Sequence, residues 1–265
     1  MKKIKLAFIL IALAYLAANI YLYTQQDSLI FKNEKAIKIE LVNKKNIKEI
    51  SFKAEENINL YGKYKTSNKS NAPLILYFGG SSSDITGFFN HTLNINDFDI
   101  LGFNYRGFID SQGSPSQDKI FSDALNIYDT YAKNKEVILI GKSLGTGVVS
   151  YLASKRESKA IILITPYDSI SAIAKGKYPI FPIDLLLKHK FESIKYIQNV
   201  KTPIALFEVK DDLVIKKQHF DNLKTNIKNI FAYEILEGVS HAKVMTHIDF
   251  EKKLKEMLIN VKNIK

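Results

Sequence analysis

The chain has 265 residues, enough for one large core, and its 46% hydrophobic and 25% charged content excludes a disordered polypeptide. It has no cysteine, which excludes disulfide staples, thiolate metal sites and a cysteine nucleophile. Its 38 Lys and Arg outweigh 27 Asp and Glu for a net charge of +11, but the lysines are scattered among many Ile and Asn. That pattern reads as the codon bias of an AT-rich genome, so no nucleic-acid partner is expected, whereas a general attraction to anionic lipid headgroups is compatible with it.

The N-terminus begins with the basic tail "MKKIK" (1–5), followed by "LAFILIALAYLAANIYLY" over 6–23, which carries no charge. Eighteen such residues rise roughly 27 Å as a helix, close to the thickness of a bilayer core. A cleaved signal peptide would stop soon after Ala12-Leu13-Ala14, but Tyr15, Leu16 and Ile20 continue the apolar run, so an uncleaved transmembrane anchor is expected. Lys2, Lys3 and Lys5 argue for a cytoplasmic N-terminus and a main domain outside the cytoplasm. Lys32 and Lys35, within a linker over 24–35, and Lys38 just after it oppose that bias.

Three short runs come next, "AIKIELV" (36–42), "IKEISFKA" (47–54) and "INLYGKYK" (58–65), and predict an antiparallel meander. From residue 73 the pattern changes to continuous apolar runs suited to strands buried on both faces: 73–80, 98–104, 136–141, 160–165, 203–209 and 231–236. Segments with helical spacing lie between or after them at 117–133, 143–155 and 248–262. This alternation predicts an α/β fold with a mostly parallel twisted sheet and helices on both faces. Ligands in such sheets sit outside the carboxyl ends of the strands. The stretch of about 167–200, with the Pro-broken "YPIFPIDLLLKHKF", is too long for an ordinary loop and predicts a short helical cap over that edge.

"EVILIGKSLGTGVVSYLASK" (136–155) can be parsed three ways. A phosphate-binding loop needs Gly five residues before Gly141, where Glu136 stands. A dinucleotide turn needs its glycines at the strand end, but Gly145-Thr146-Gly147 starts one helical turn late and its third position is Ser150. A nucleophile turn needs strand, Gly-x-Ser-x-Gly and helix in direct succession, and Gly141-Lys142-Ser143-Leu144-Gly145 meets all three conditions. Lys142 reads as a bystander on that turn.

A nucleophilic serine needs an acid and then a histidine later in the chain. Of the five histidines, His91 and His189 come too early, His219 reads as a helix face and His247 as a helix start. His241 follows a strand in "LEGVSHAKV" and is the expected base. One of Asp211 and Asp212, which follow the run at 203–209, is the expected acid. The oxyanion would be met by the backbone N–H of Leu144 and by one from the turn Gly79-Gly80-Ser81.

These residues resemble the alpha/beta-hydrolase superfamily, and more narrowly its membrane-anchored serine hydrolases, which include depalmitoylating thioesterases and lysophospholipase-like enzymes. The likeness runs from about residue 36 to the C-terminus and is carried by "NYRGFIDSQGSPS" (104–116), "GKSLGTGVVSYLAS", "PYDSI" and "YPIFPIDLLL". It implies the alpha/beta-hydrolase fold over 36–265, a triad of Ser143, Asp212 and His241 with Asp211 the second choice, and oxyanion donors at Leu144 and at Ser81 or Gly80. It further implies cleavage of acyl esters or thioesters of a small or lipid-like substrate, with no cofactor and no metal. Two departures stand out: Glu208-Val209 where the family commonly has His-Gly, and Gly79-Gly80-Ser81 where it often has His-Gly-Asn. The first leaves open a tethered binding domain without turnover, and a serine peptidase is a further variant on the same scaffold.

Overall fold

The computed structural model describes residues 1–262. Its centre is an eight-stranded sheet formed by β1 (Ile47–Lys53), β2 (Asn59–Lys65), β3 (Leu74–Phe78), β4 (Asp99–Phe103), β5 (Val137–Lys142), β6 (Ala160–Ile164), β7 (Ile204–Val209) and β8 (Ile230–Leu236). The spatial order is β1-β2-β4-β3-β5-β6-β7-β8. β1, β2 and β4 pair antiparallel, whereas the run from β4 to β8 is parallel.

The sequence patterns account for this division. Every residue of β3, β5, β6 and β7 is buried, as unbroken apolar runs require when helices cover both faces. β1 alternates in exposure, as an edge strand with one wet face does. One face is covered by α3 (Gln117–Tyr131) and α4 (Leu144–Ala153), whose Phe121, Ala124, Val148 and Leu152 meet Leu76, Leu101 and Leu139. The other carries α2 (Thr86–Asn90) and, after the cap, α9 (Phe250–Lys262), whose Phe250, Leu254 and Leu258 pack on Ile138, Ile162 and Phe207. Each fully buried Ile, Leu or Phe contributes roughly 1.5–3 kcal/mol.

Two expectations are corrected. Residues 36–42 form no strand: Ile39 N–H donates to Asp84 Oδ2 at 2.8 Å, Val42 N–H to Asn90 Oδ1 at 3.0 Å, and Asn90 Nδ2 to Glu40 O at 2.9 Å. Side chains at and before α2 satisfy this backbone, so no neighbouring strand is needed. The segment 24–35 is not a free linker either. α1 runs unbroken from Lys2 to Ile30, Gln26 is buried, and Phe31 is 1% exposed against His189 and Phe191.

The cap is three short helices, α5 (Ile170–Lys177), α6 (Ile183–Leu186) and α7 (Ser193–Ile197). Pro179 and Pro182 prevent one continuous helix between Lys177 and Ile183. Ser169 caps α5, accepting from Ala172 N–H at 2.9 Å. α8 (Lys217–Thr225) follows β7.

Candidate active site

From β3 the chain passes to β4 on one side, then crosses to β5 on the other. Such a switch point opens a crevice at the carboxyl ends of β3 and β5. Gly79, Gly80 and Ser81 follow β3, and Ser143 follows β5, so both sequence-predicted turns arrive there.

Ser143 has φ 50° and ψ −117°, a conformation that a side chain ordinarily avoids. Its N–H donates to Ile164 O at 2.9 Å, and its own carbonyl accepts from Thr146 N and Oγ1 at 2.8 and 2.7 Å. The flanking glycines are required by close approach. A methyl on Gly141 would lie 2.7 Å from the Gly145 carbonyl carbon, and one on Gly145 would collide with the carbonyl oxygens of Phe78 and Gly79. Without those methyls, α4 can begin directly against β3 and β5.

A methyl on Gly80 would sit 3.5 Å from Ser143 Cβ, so this turn packs against the serine. The buried Tyr105 hydroxyl donates to Gly79 O at 3.0 Å and fixes the turn from behind. Leu144 opens α4, so its N–H precedes the first intrahelical bond and has no partner within the helix.

His241 begins a 3-10 turn (His241–Thr246) after β8. The Ser143 hydroxyl lies 2.8 Å from His241 Nε2, and His241 Nδ1 lies 2.7 Å from Asp212 Oδ2. An ionised carboxylate only accepts, so Nδ1 carries the proton and Nε2 is free to accept from Ser143. Asp212 Oδ1 accepts from the N–H groups of Val214 and Ile215 at 2.8 and 2.9 Å. Burial pushes the Asp212 carboxyl up, but His241 and these two amides outweigh it and hold the pKa below the usual carboxylate value. Asp211 is exposed and lies outside this chain of bonds.

Lys142 is the correction at this site. It is not a bystander on the turn: it is 6% exposed, and its ammonium donates to the carbonyl of Ala242, next to His241, at 3.1 Å. Burial lowers its pKa to about 8. A charged residue closing a wholly apolar strand was the signal available in the sequence. Glu208, the departure before the acid loop, is also buried. It accepts from the Tyr233 hydroxyl and from Lys217 Nζ at 3.2 Å, and β7 still delivers Asp212 to His241.

The other histidines are engaged elsewhere. His219 is buried on α8 at 3.0 Å from Asp168, His189 meets Asp27 at 3.0 Å, and His247 accepts from Asp249 N–H at 3.1 Å. His91 ends α2, where burial lowers its pKa. Among the described residues, no group of three or more His, Asp or Glu is placed to hold a metal ion. A cavity of about 490 Å³ lies under residues 38–44, lined by Asp84, Asn104 and Asp110, and excludes Ser143, Asp212 and His241.

Solved structures share this overall fold. The Pyrococcus furiosus esterase Pf2001 superposes with a TM-score of 0.65 at 16% identity over 86% of this chain and 96% of its own. The esterase Est1E of Butyrivibrio proteoclasticus, solved with ferulic acid, gives 0.68 at 16% identity over 81% and 99%. The chain has the alpha/beta-hydrolase fold. The likeness of its motifs to that superfamily is met by a curated relative that carries the alpha/beta-hydrolase name.

No protein-family model matches the sequence. Among curated relatives, the lysophosphatidylserine lipase ABHD12 of Danio rerio is 28% identical over 182 residues, 58% of this chain and 47% of its own. A putative alpha/beta hydrolase of Acanthamoeba polyphaga mimivirus is 25% identical over 196 residues, 66% and 73%. An uncharacterized protein of Mycobacterium tuberculosis is 26% identical over 147 residues, 54% and 52%. The chain therefore spans about half the length of several curated relatives it matches.

Proposed function

We propose that this protein is a membrane-anchored serine hydrolase that cleaves acyl esters or thioesters of lipid-like substrates. The observation that carries the reading is the hydrogen-bonded chain Ser143–His241–Asp212 at the switch point of the sheet. In this mechanism His241 Nε2 takes the Ser143 proton as Oγ attacks the acyl carbonyl, and Asp212 holds the tautomer and balances the imidazolium. The N–H groups of Leu144 and of Ser81 or Gly80 receive the oxyanion, and each such donor is typically worth about 3–4 kcal/mol. His241 then protonates the departing alcohol or thiol, and water, deprotonated by the same nitrogen, releases the acyl group from Ser143.

Helix α1 supports the membrane part: it is 29 residues long, and an 18-residue window within it has a mean hydropathy of 2.0. Lys2, Lys3 and Lys5 favour a cytoplasmic N-terminus and a catalytic domain on the far side. The lipase name of the zebrafish relative and the apolar cap favour a lipid-like acyl chain over a soluble ester.

A fluorophosphonate probe tests the reading. The parent protein is expected to label, and Ser143→Ala and His241→Ala are expected to abolish labelling. Asp212→Asn should slow it by about 10⁴-fold through loss of the required tautomer, with Asp211→Asn near the parent rate. An unlabelled parent would sink the serine-hydrolase reading, and damage confined to Asp211→Asn would move the acid.

A further inference from the structure

The contact between α1 and the cap lies at an unexpected depth. Tyr15 stands eight residues before Tyr23, which is about 12 Å along a helix axis. On the reading above, in which the apolar run 6–23 of α1 crosses a bilayer, Tyr15 stands near the middle of that run and so lies well inside the hydrocarbon. Yet its hydroxyl donates to the carbonyl of Ile180 at 2.8 Å, and its ring stacks on Phe181 with centroids 5.6 Å apart. The cap segment therefore reaches the depth of Tyr15.

The chemistry of that segment suits hydrocarbon. Ile180 is 71% exposed and Leu185 85%, and Pro179 and Pro182 are exposed beside them. Neither proline has a backbone N–H to leave unpaired in lipid. Asp184 is the acid on this tip, and Lys175 pairs with it at 2.8 Å. An apolar cleft of about 70 Å³ between Leu22, Leu29, Ile170 and Ile183 continues the same surface inward.

Basic residues bracket the tip. Lys175 and Lys177 precede it, and Lys188 follows with its ammonium 4.3 Å from the centre of the Tyr23 ring. Tyr and Lys at one level mark the headgroup region, where long basic side chains keep their charge in water.

We propose that the cap tip, residues 178–187, inserts beside α1 into the acyl-chain region of the leaflet that faces the catalytic domain, with Lys188 at headgroup level. The cap is then an immersed surface, and a lipid-like substrate reaches it without leaving the bilayer. This inference rests on the spanning reading of α1, so its test separates the two.

The chain has no tryptophan, so single substitutions report depth cleanly. Ile180→Trp and Leu185→Trp probe the tip, Leu10→Trp probes α1, and Lys133→Trp probes an exposed turn after α3. Each full-length variant is reconstituted in phosphatidylcholine–phosphatidylglycerol vesicles whose acyl chains carry bromine, after its melting curve is matched to the parent. I180W and L185W are expected to emit to the blue of K133W and to be quenched within about twofold of L10W. Quenching of L10W with both tip variants behaving like K133W would overturn the insertion and leave the anchor intact. If L10W also escapes quenching, the spanning reading falls as well.

Discussion

Lys142 sits at the variable position between Gly141 and Ser143 of the Gly-x-Ser-x-Gly turn, and its long side chain is buried. Among the described residues its ammonium meets no carboxylate; it reaches the carbonyl of Ala242 and so ties β5 to the turn that carries His241. The charged form is expensive there, which is why its pKa falls from 10.5 to about 8. The sign of the pH effect follows. Between about pH 8 and 10.5 the unfolded chain holds a proton at Lys142 that the folded protein has released, so stability contributed by this group rises with pH across that window. Lys142→Met removes the buried charge, and its stability relative to the parent should decline by about 3 kcal/mol between pH 7 and pH 10.5. Denaturant unfolding at the two pH values measures this. The same substitution frees the His241 turn and should slow probe labelling of Ser143 by roughly 10–100-fold. An unchanged rate would remove Lys142 from any positioning role.

At the scale of elements, the parts best read from sequence were those with one dominant physical cause. β3, β5, β6 and β7 announced themselves as nearly continuous apolar runs, broken only by Lys142 in β5 and Glu208 in β7, because helices cover both faces. Chain order and strand ends singled out Ser143, His241 and the pair Asp211-Asp212, and the family resemblance preferred Asp212, the one that the structure joins to His241 by a hydrogen bond. Residues 36–42 misled because alternation in sequence does not say what satisfies the backbone; here Asp84 and Asn90 do. Arg106 shows a second limit. It stands in the recognised "NYRG" segment, but its partner Asp123 looked like any polar position on α3. In the structure Arg106 is fully buried, with Nε and Nη2 at 2.6 and 2.8 Å from Asp123 and Nη1 at 3.0 Å from Glu56. This pair fastens the turn after β4 to α3. Arg106→Met should destabilise by about 3–5 kcal/mol, because it strands the Asp123 carboxylate, and the double change with Asp123→Leu should recover part of that loss. Equal destabilisation by the single and double variants would show that the guanidinium acts by packing alone.

At the scale of the whole molecule, α1 and the cap behave as one body. Gln26 is 5% exposed; its amide donates to Leu186 O at 3.1 Å and accepts from Lys188 N–H at 2.7 Å, while Asp27 meets His189. Periodicity could not reveal this, since Gln26 and Asp27 fall in the segment 24–35, which reads as a linker after the apolar run. Gln26→Ala leaves a cap carbonyl and a cap amide without their partner, at a cost of about 1–3 kcal/mol for each group kept from water. The loosened cap should appear as a lower melting temperature of the full chain in detergent. Its functional consequence separates two roles for α1. If the helix only holds the domain near a bilayer, Gln26→Ala leaves hydrolysis of every ester unchanged at temperatures below melting. If the helix sets the depth and angle of the cap, turnover of long-chain esters embedded in vesicles falls several-fold, while a short soluble ester is cleaved at the parent rate. The burial of Gln26 and the match between cap backbone and helix side chain favour the second outcome.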